Sequence, residues 1–117
     1  MNEKIRIIKE PVTRVELKEI AEERFGDLVK AAVDIEQEIM AVGGDLHVDC
    51  QMTLVQEAGS KHWNVWGVNI KPLETGEDFI HFDSMINLKP DFNNRSRSID
   101  NMEVRQKVTD VINKLIK

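Results

Sequence analysis

Asp45-Leu46-His47-Val48-Asp49-Cys50-Gln51-Met52-Thr53-Leu54-Val55-Gln56 is the stretch on which the fold turns. Leu46, Val48, Cys50, Met52 and Leu54 are apolar, and Asp45, His47, Asp49, Gln51 and Thr53 between them are polar. Successive strand side chains point to opposite faces, so this alternation predicts a strand with one core face and one wet face. Gly59 and Ser60 then turn the chain, and Trp66, Val68 and Ile70 keep the period of two. After an acidic loop from Pro72 to Asp78, the run Phe79 to Leu88 reads as a last strand burying Ile80, Phe82, Ile86 and Leu88.

Upstream, Val29, Ala31, Val33 and Ile35 alternate with polar residues and favour strand. Leu28, Ala32, Ile35, Ile39 and Val42 would also suit a helix, and that alternative stays open. Ile39 to Val42, followed by Gly43-Gly44, reads as a return or a bulge. Lys4 to Ile8 forms a short strand ended by Pro11.

Helices flank this β-rich middle. Thr13 and Glu16 make a capping box, with Val12 and Leu17 at the staple positions. Leu17, Ile20, Ala21 and Phe25 line one face, and Gly26 stands at a left-handed C-terminal cap. Ile99, Asp100, Glu103 and Val104 repeat the device, placing the N-cap at Asp100. Val104, Val108, Val111, Ile112, Leu115 and Ile116 then form an apolar stripe.

These elements predict a single α+β domain over residues 1–117. It is a two-layer sandwich, a mainly antiparallel sheet of about five strands with one face covered by two helices. The 117 residues, 41% hydrophobic and 32% charged, suffice for one sizeable core. A formal charge of −5 argues against coating nucleic acid. No apolar run reaches the roughly 18 residues of a membrane span, and the N-terminus lacks a signal-peptide core, so the expected location is cytoplasmic. Cys50 is the sole cysteine, which excludes an internal disulfide and a cysteine zinc cage.

Four stretches carry a likeness: Gly43-Gly44-Asp45-Leu46-His47-Val48-Asp49, Trp66-Gly67-Val68-Asn69, Phe82-Asp83-Ser84-Met85-Ile86-Asn87 and Asn94-Arg95-Ser96. Through them the chain resembles, from about Ile7 to Ile116, a small prokaryotic family of domains of unknown function numbered five-six-seven-four. The resemblance implies no established activity and transfers no catalytic residue.

His47 with Asp49, and His81 with Asp83, are matched His-x-Asp steps. On neighbouring strands they would gather two imidazoles and two carboxylates, a set suited to zinc or another divalent metal; ordinary solvated strand polars are the competing reading. Asn94, Arg95, Ser96, Arg97 and Ser98 precede the last helix and offer guanidiniums and hydroxyls to an anion. Asp100 as N-cap would oppose that anion, and pairing of Arg95 or Arg97 with Asp83 or Asp91 is the structural alternative. Cys50 falls on the core side, and no phosphate loop or nucleophile elbow is present. Trp66 belongs to the core, and Trp63 to the opposite face.

Function stays unassigned at this level. The favoured expectation is a non-enzymatic binding or assembly module presenting its polar sheet face and the Arg/Ser/Asn loop to a small anionic ligand, a protein, or a second copy of itself. The alternative is a metal-dependent hydrolase using His47, Asp49, His81 and Asp83. No cofactor is required by the sequence beyond a divalent metal in that second case, and neither nucleic acid nor membrane is expected as a partner.

Overall fold

In the computed structural model, residues 5–117 are described; Lys4, where the N-terminal strand was expected to begin, lies outside them. Five strands, β1 (Arg6–Ile8), β2 (Val29–Asp34), β3 (Ile39–Val42), β4 (Val65–Ile70) and β5 (Ile80–His81), form one sheet in the order β1-β3-β2-β4-β5. Every pairing is antiparallel. The open question at 28–42 resolves as a hairpin. Its turn is held by the buried Asp34 carboxylate, which accepts from the Glu36 and Gln37 N–H groups at 2.9 and 3.1 Å and from the Ser60 hydroxyl at 2.5 Å.

Three helices pack on this sheet: α1 (Arg14–Arg24), α2 (His47–Ala58) and α3 (Met102–Leu115). The α+β class and antiparallel sheet stand as expected, and α1 and α3 share one face. Leu17, Ala21, Val108, Ile112 and Leu115 pack there with Ala31, Val33, Met40, Val42, Trp66 and Val68. A bridge between Val12 and Ile116 ties the start of α1 to the end of α3.

The opposite face departs from expectation. Residues 47–58 form a helix, not a strand, so the sandwich gains a third layer. Cys50 and Leu54 pack with Ala32, Ile39, Ala41 and Val65 on that side. His47, Cys50 and Leu54 follow helical spacing, whereas Leu46, Val48 and Met52, assigned to the core by alternation, are 53%, 42% and 43% exposed. Gly59 closes the helix in the left-handed region at φ 70°, and its N–H donates to the Leu54 carbonyl.

Two further assignments shift. The Thr13 capping box forms as read, but the N-cap of α3 is Asn101, whose Oδ1 accepts from the Glu103 and Val104 N–H groups at 2.8 and 3.2 Å. Asp100 is committed elsewhere, to the Ser96 hydroxyl and the Arg95 N–H. The expected strand 79–88 keeps only Ile80–His81; Met85–Asn87 is a 3-10 turn, capped by Ser84.

Candidate functional site

Past β5 the edge of β4 has no strand beside it among the described residues, and a side chain takes over that role. Asn87, fully buried, accepts from the Gly67 N–H at 2.7 Å and donates to the Gly67 carbonyl at 3.0 Å, copying the two bonds of a strand neighbour. Gly67 has to be glycine, because a Cβ there would lie 2.5 Å from the Ser84 Cβ and 3.0 Å from Ile86 Cγ1. Asn94, also buried, donates to the Asn87 and Ser98 carbonyls at 2.7 Å each and accepts from the Asp100 N–H at 2.8 Å. Two asparagines thus lock the segments 84–87 and 94–100 against the sheet. The stretches that carry the family likeness are, in good part, this clasp.

The clasp leaves a cavity of about 540 Å³ between α2 and the sheet. Its apolar lining is Phe25, Leu28, Leu46, Val48, Met85 and Ile86, and its polar lining is Lys30, His47, Asn69, Asp83, Ser84 and Arg97. Leu46 and Val48 belong to the start of α2, which has no side-chain cap. Lys30 and Asn69 face each other across β2 and β4. Arg97 Nε donates to Asp83 Oδ1 at 2.9 Å, and the Ser84 N–H donates to the Arg97 carbonyl at 3.0 Å, so this ion pair forms one wall.

His47 is buried on the sheet side of α2, and its Nε2 bonds the Val68 carbonyl at 2.9 Å. A carbonyl can only accept, so Nε2 carries the proton. Burial is the main reason its pKa lies below the ordinary imidazole value of 6.5; the Val68 carbonyl opposes the shift, Lys30 adds to it, and Asp83 and the neighbouring Asn69 side chain oppose it. At neutral pH the ring is neutral, with Nδ1 as an acceptor. The Cys50 thiol, fully buried, is pushed up to about 11 by the same desolvation, which suits packing and not nucleophilic attack.

Of the residues singled out by sequence, His47, Asp83 and Arg97 line this cavity and the others do not. Asp49 lies two helical positions from His47, on another side of α2. His81 Nε2 bonds the Asp78 carbonyl at 2.9 Å. The premise of two facing His-x-Asp strands fails with the helix at 47–58, and among the described residues no group of three or more His, Cys, Asp or Glu is placed to hold a metal ion. In the 94–98 loop, Asp100 occupies the Ser96 hydroxyl, Ser98 accepts from Arg105 at 2.8 Å, and Arg97 takes Asp83. Trp63 lies outside the sheet, stacked on Phe92 with ring centroids 6.1 Å apart.

Sequence reasoning missed Phe25, Leu28, Lys30, Leu46, Val48, Asn69, Ser84, Met85 and Ile86 as cavity lining. A signal existed for Asn69, a polar residue inside the motif Trp66-Gly67-Val68-Asn69.

Fold and site together define a small three-layer α+β fold with a recessed, mixed-polarity cavity at the start of its middle helix. The chain belongs to the family described as protein of unknown function (DUF5674), whose model matches residues 6–115. Comparison with curated proteins gives no match, and comparison with solved structures gives none either. No helix among the described residues is long and apolar enough to cross a membrane.

Proposed function

We propose that residues 1–117 act as one binding domain that holds a small molecule with an apolar body and a polar, anionic head in the cavity beneath the start of α2. The observation that carries this is the lining itself: six apolar side chains and six polar ones converge on a space of about 540 Å³, within the roughly 300–1,000 Å³ usual for ligand sites. Lys30 and Arg97 against Asp83 give the lining a formal surplus of one positive charge, 2 − 1. The reading keeps the anionic ligand expected from sequence and moves its site from the 94–98 loop as a whole to the one arginine that reaches the cavity. A cytoplasmic setting is part of it, supported by a lone cysteine held as a buried thiol.

Titration with the apolar anion anilinonaphthalene sulfonate tests the reading. One dye per protein should bind with a rise in fluorescence, and Val48→Trp, which adds bulk at an exposed position on the rim, should abolish binding while leaving the denaturation midpoint in place. No binding, or equal binding by the variant, contradicts it.

A further inference from the structure

We infer that the cavity binds its anion together with a proton: as the anion enters, His47 is protonated on Nδ1, and the new N–H donates to the buried Oδ1 of Asn69. The inference rests on the cavity being a ligand site, as proposed above.

The Asn69 amide stands between two acceptors. Its Nδ2 donates to the Asp83 carbonyl at 3.3 Å, which turns Oδ1 the other way. That Oδ1 is closed to solvent and receives no hydrogen bond. The Asn69 side chain favours the protonated form of the His47 ring, which is the action of an acceptor held against it. Nε2 is engaged by the Val68 carbonyl at 2.9 Å, so Nδ1 is the nitrogen left to meet the amide, and in the neutral ring it too is an acceptor. Turning the amide over does not help, because Oδ1 would then face the Asp83 carbonyl in place of the ring. An amide has one donor end and one acceptor end, and either way round one of these contacts lacks a hydrogen. A single proton on Nδ1 supplies it. The row of Val68 carbonyl, imidazolium, Asn69 amide and Asp83 carbonyl is then satisfied at every link.

Charge withholds that proton from the empty cavity. His47 is 8% exposed, and desolvation disfavours its cation. Lys30 on β2 opposes a second positive charge; Asp83, after β5, favours it, but its carboxylate is already paired with Arg97 at 2.9 Å. β3, β4 and the turn Met85–Asn87 carry no charged residue, and Asp49 lies on another side of α2. An anion in the cavity reverses the balance, since a nearby negative charge favours imidazolium, and anion and proton together leave the net charge of the site unchanged. Linkage is reciprocal, so an anion that raises the proton affinity of His47 is itself held more tightly once the ring is charged. Affinity therefore rises as pH falls through the pKa of the bound form, and levels off below that of the free form.

Calorimetric titration with anilinonaphthalene sulfonate near pH 6.5, the ordinary imidazole value, tests this when repeated in buffers of different ionisation enthalpy. The sulfonate holds no proton there, so any uptake belongs to the protein. Wild type should take up protons on binding, and His47→Gln, whose amide still has a donor for the Val68 carbonyl, should bind the dye without uptake. Nitrogen-15 spectra of the imidazole rings give an independent reading. The neutral His47 ring should hold its hydrogen on Nε2 and titrate at Nδ1; saturation with dye should move the midpoint up, and Asn69→Leu should move it down. Equal uptake by wild type and His47→Gln, a neutral ring with its hydrogen on Nδ1, or a midpoint unchanged in Asn69→Leu overturns the inference. Dye binding without proton uptake in wild type overturns this inference alone and leaves the cavity reading intact; failure of the dye to bind removes both.

Discussion

Gly67 and Asn87 show how much a single contact organises here. The Asn87 amide stands in for a strand, and it reaches the β4 backbone only because Gly67 has no side chain. Gly67→Ala should therefore force Ser84 and Ile86 outward and cost about 1–3 kcal/mol, the usual range for overpacking. Urea denaturation measures it, and an unchanged midpoint would mean that the clasp is not tight. The same residues explain part of what sequence concealed. Asn87 and Asn94 look like loop polars in the chain, yet both are buried, because their amides satisfy backbone groups that no strand reaches. Asp100 was misassigned as N-cap for a related reason: Asp and Asn are equally good caps, and the choice of Asn101 follows from bonds Asp100 makes to Arg95 and Ser96 in space.

At the level of elements, sequence was a good guide where one pattern dominated and a poor one where two coincided. The Thr13 box, β4 and the α3 stripe were legible because capping, alternation and helical spacing each spoke alone, whereas the hairpin of β2 and β3 carried a helical spacing beside its alternation. In 45–58, Cys50 and Leu54 are four residues apart, a separation that fits one helix face and one strand face equally. Leu46 and Val48 tipped the balance towards strand, although their apolar side chains line a cavity and not the core. Candidate binding residues thus masqueraded as the missing half of an alternation. The helix makes a sharp prediction. Met52→Lys should change stability by no more than about 0.5 kcal/mol, as for other exposed positions, whereas Leu54→Ala should cost about 2–5 kcal/mol. Comparable large losses from both substitutions would restore the strand.

Across the whole molecule, covering both faces of the sheet leaves few places for charge inside, and Lys89 occupies one of them. Its side chain lies 4.7 Å above the Trp66 ring, its Nζ donates to the Ile86 carbonyl at 2.6 Å, and burial lowers its pKa from 10.5 to about 8. Between about pH 8 and 10.5 the unfolded chain holds a proton that the folded one has released, so this residue makes stability rise with pH through that window. Below about pH 8 both states are charged and the gain is lost. Denaturation midpoints across the window should show the rise in the wild type relative to Lys89→Met, which keeps the apolar stem over Trp66. Cys50, with its pKa raised, acts in the opposite direction in both proteins, so their difference isolates the amine. Parallel pH profiles would place the ammonium in solvent.

The most direct measurement of the central claim is an amide chemical-shift map of isotopically labelled protein titrated with anilinonaphthalene sulfonate. Shifts confined to Leu28, Lys30, Leu46 to Val48, Asn69 and Met85 are the predicted result, since these backbone positions surround the cavity from three separate elements and the loops beside them. Shifts centred instead on Trp63 and Phe92, the exposed aromatic stack away from the cavity, would contradict it.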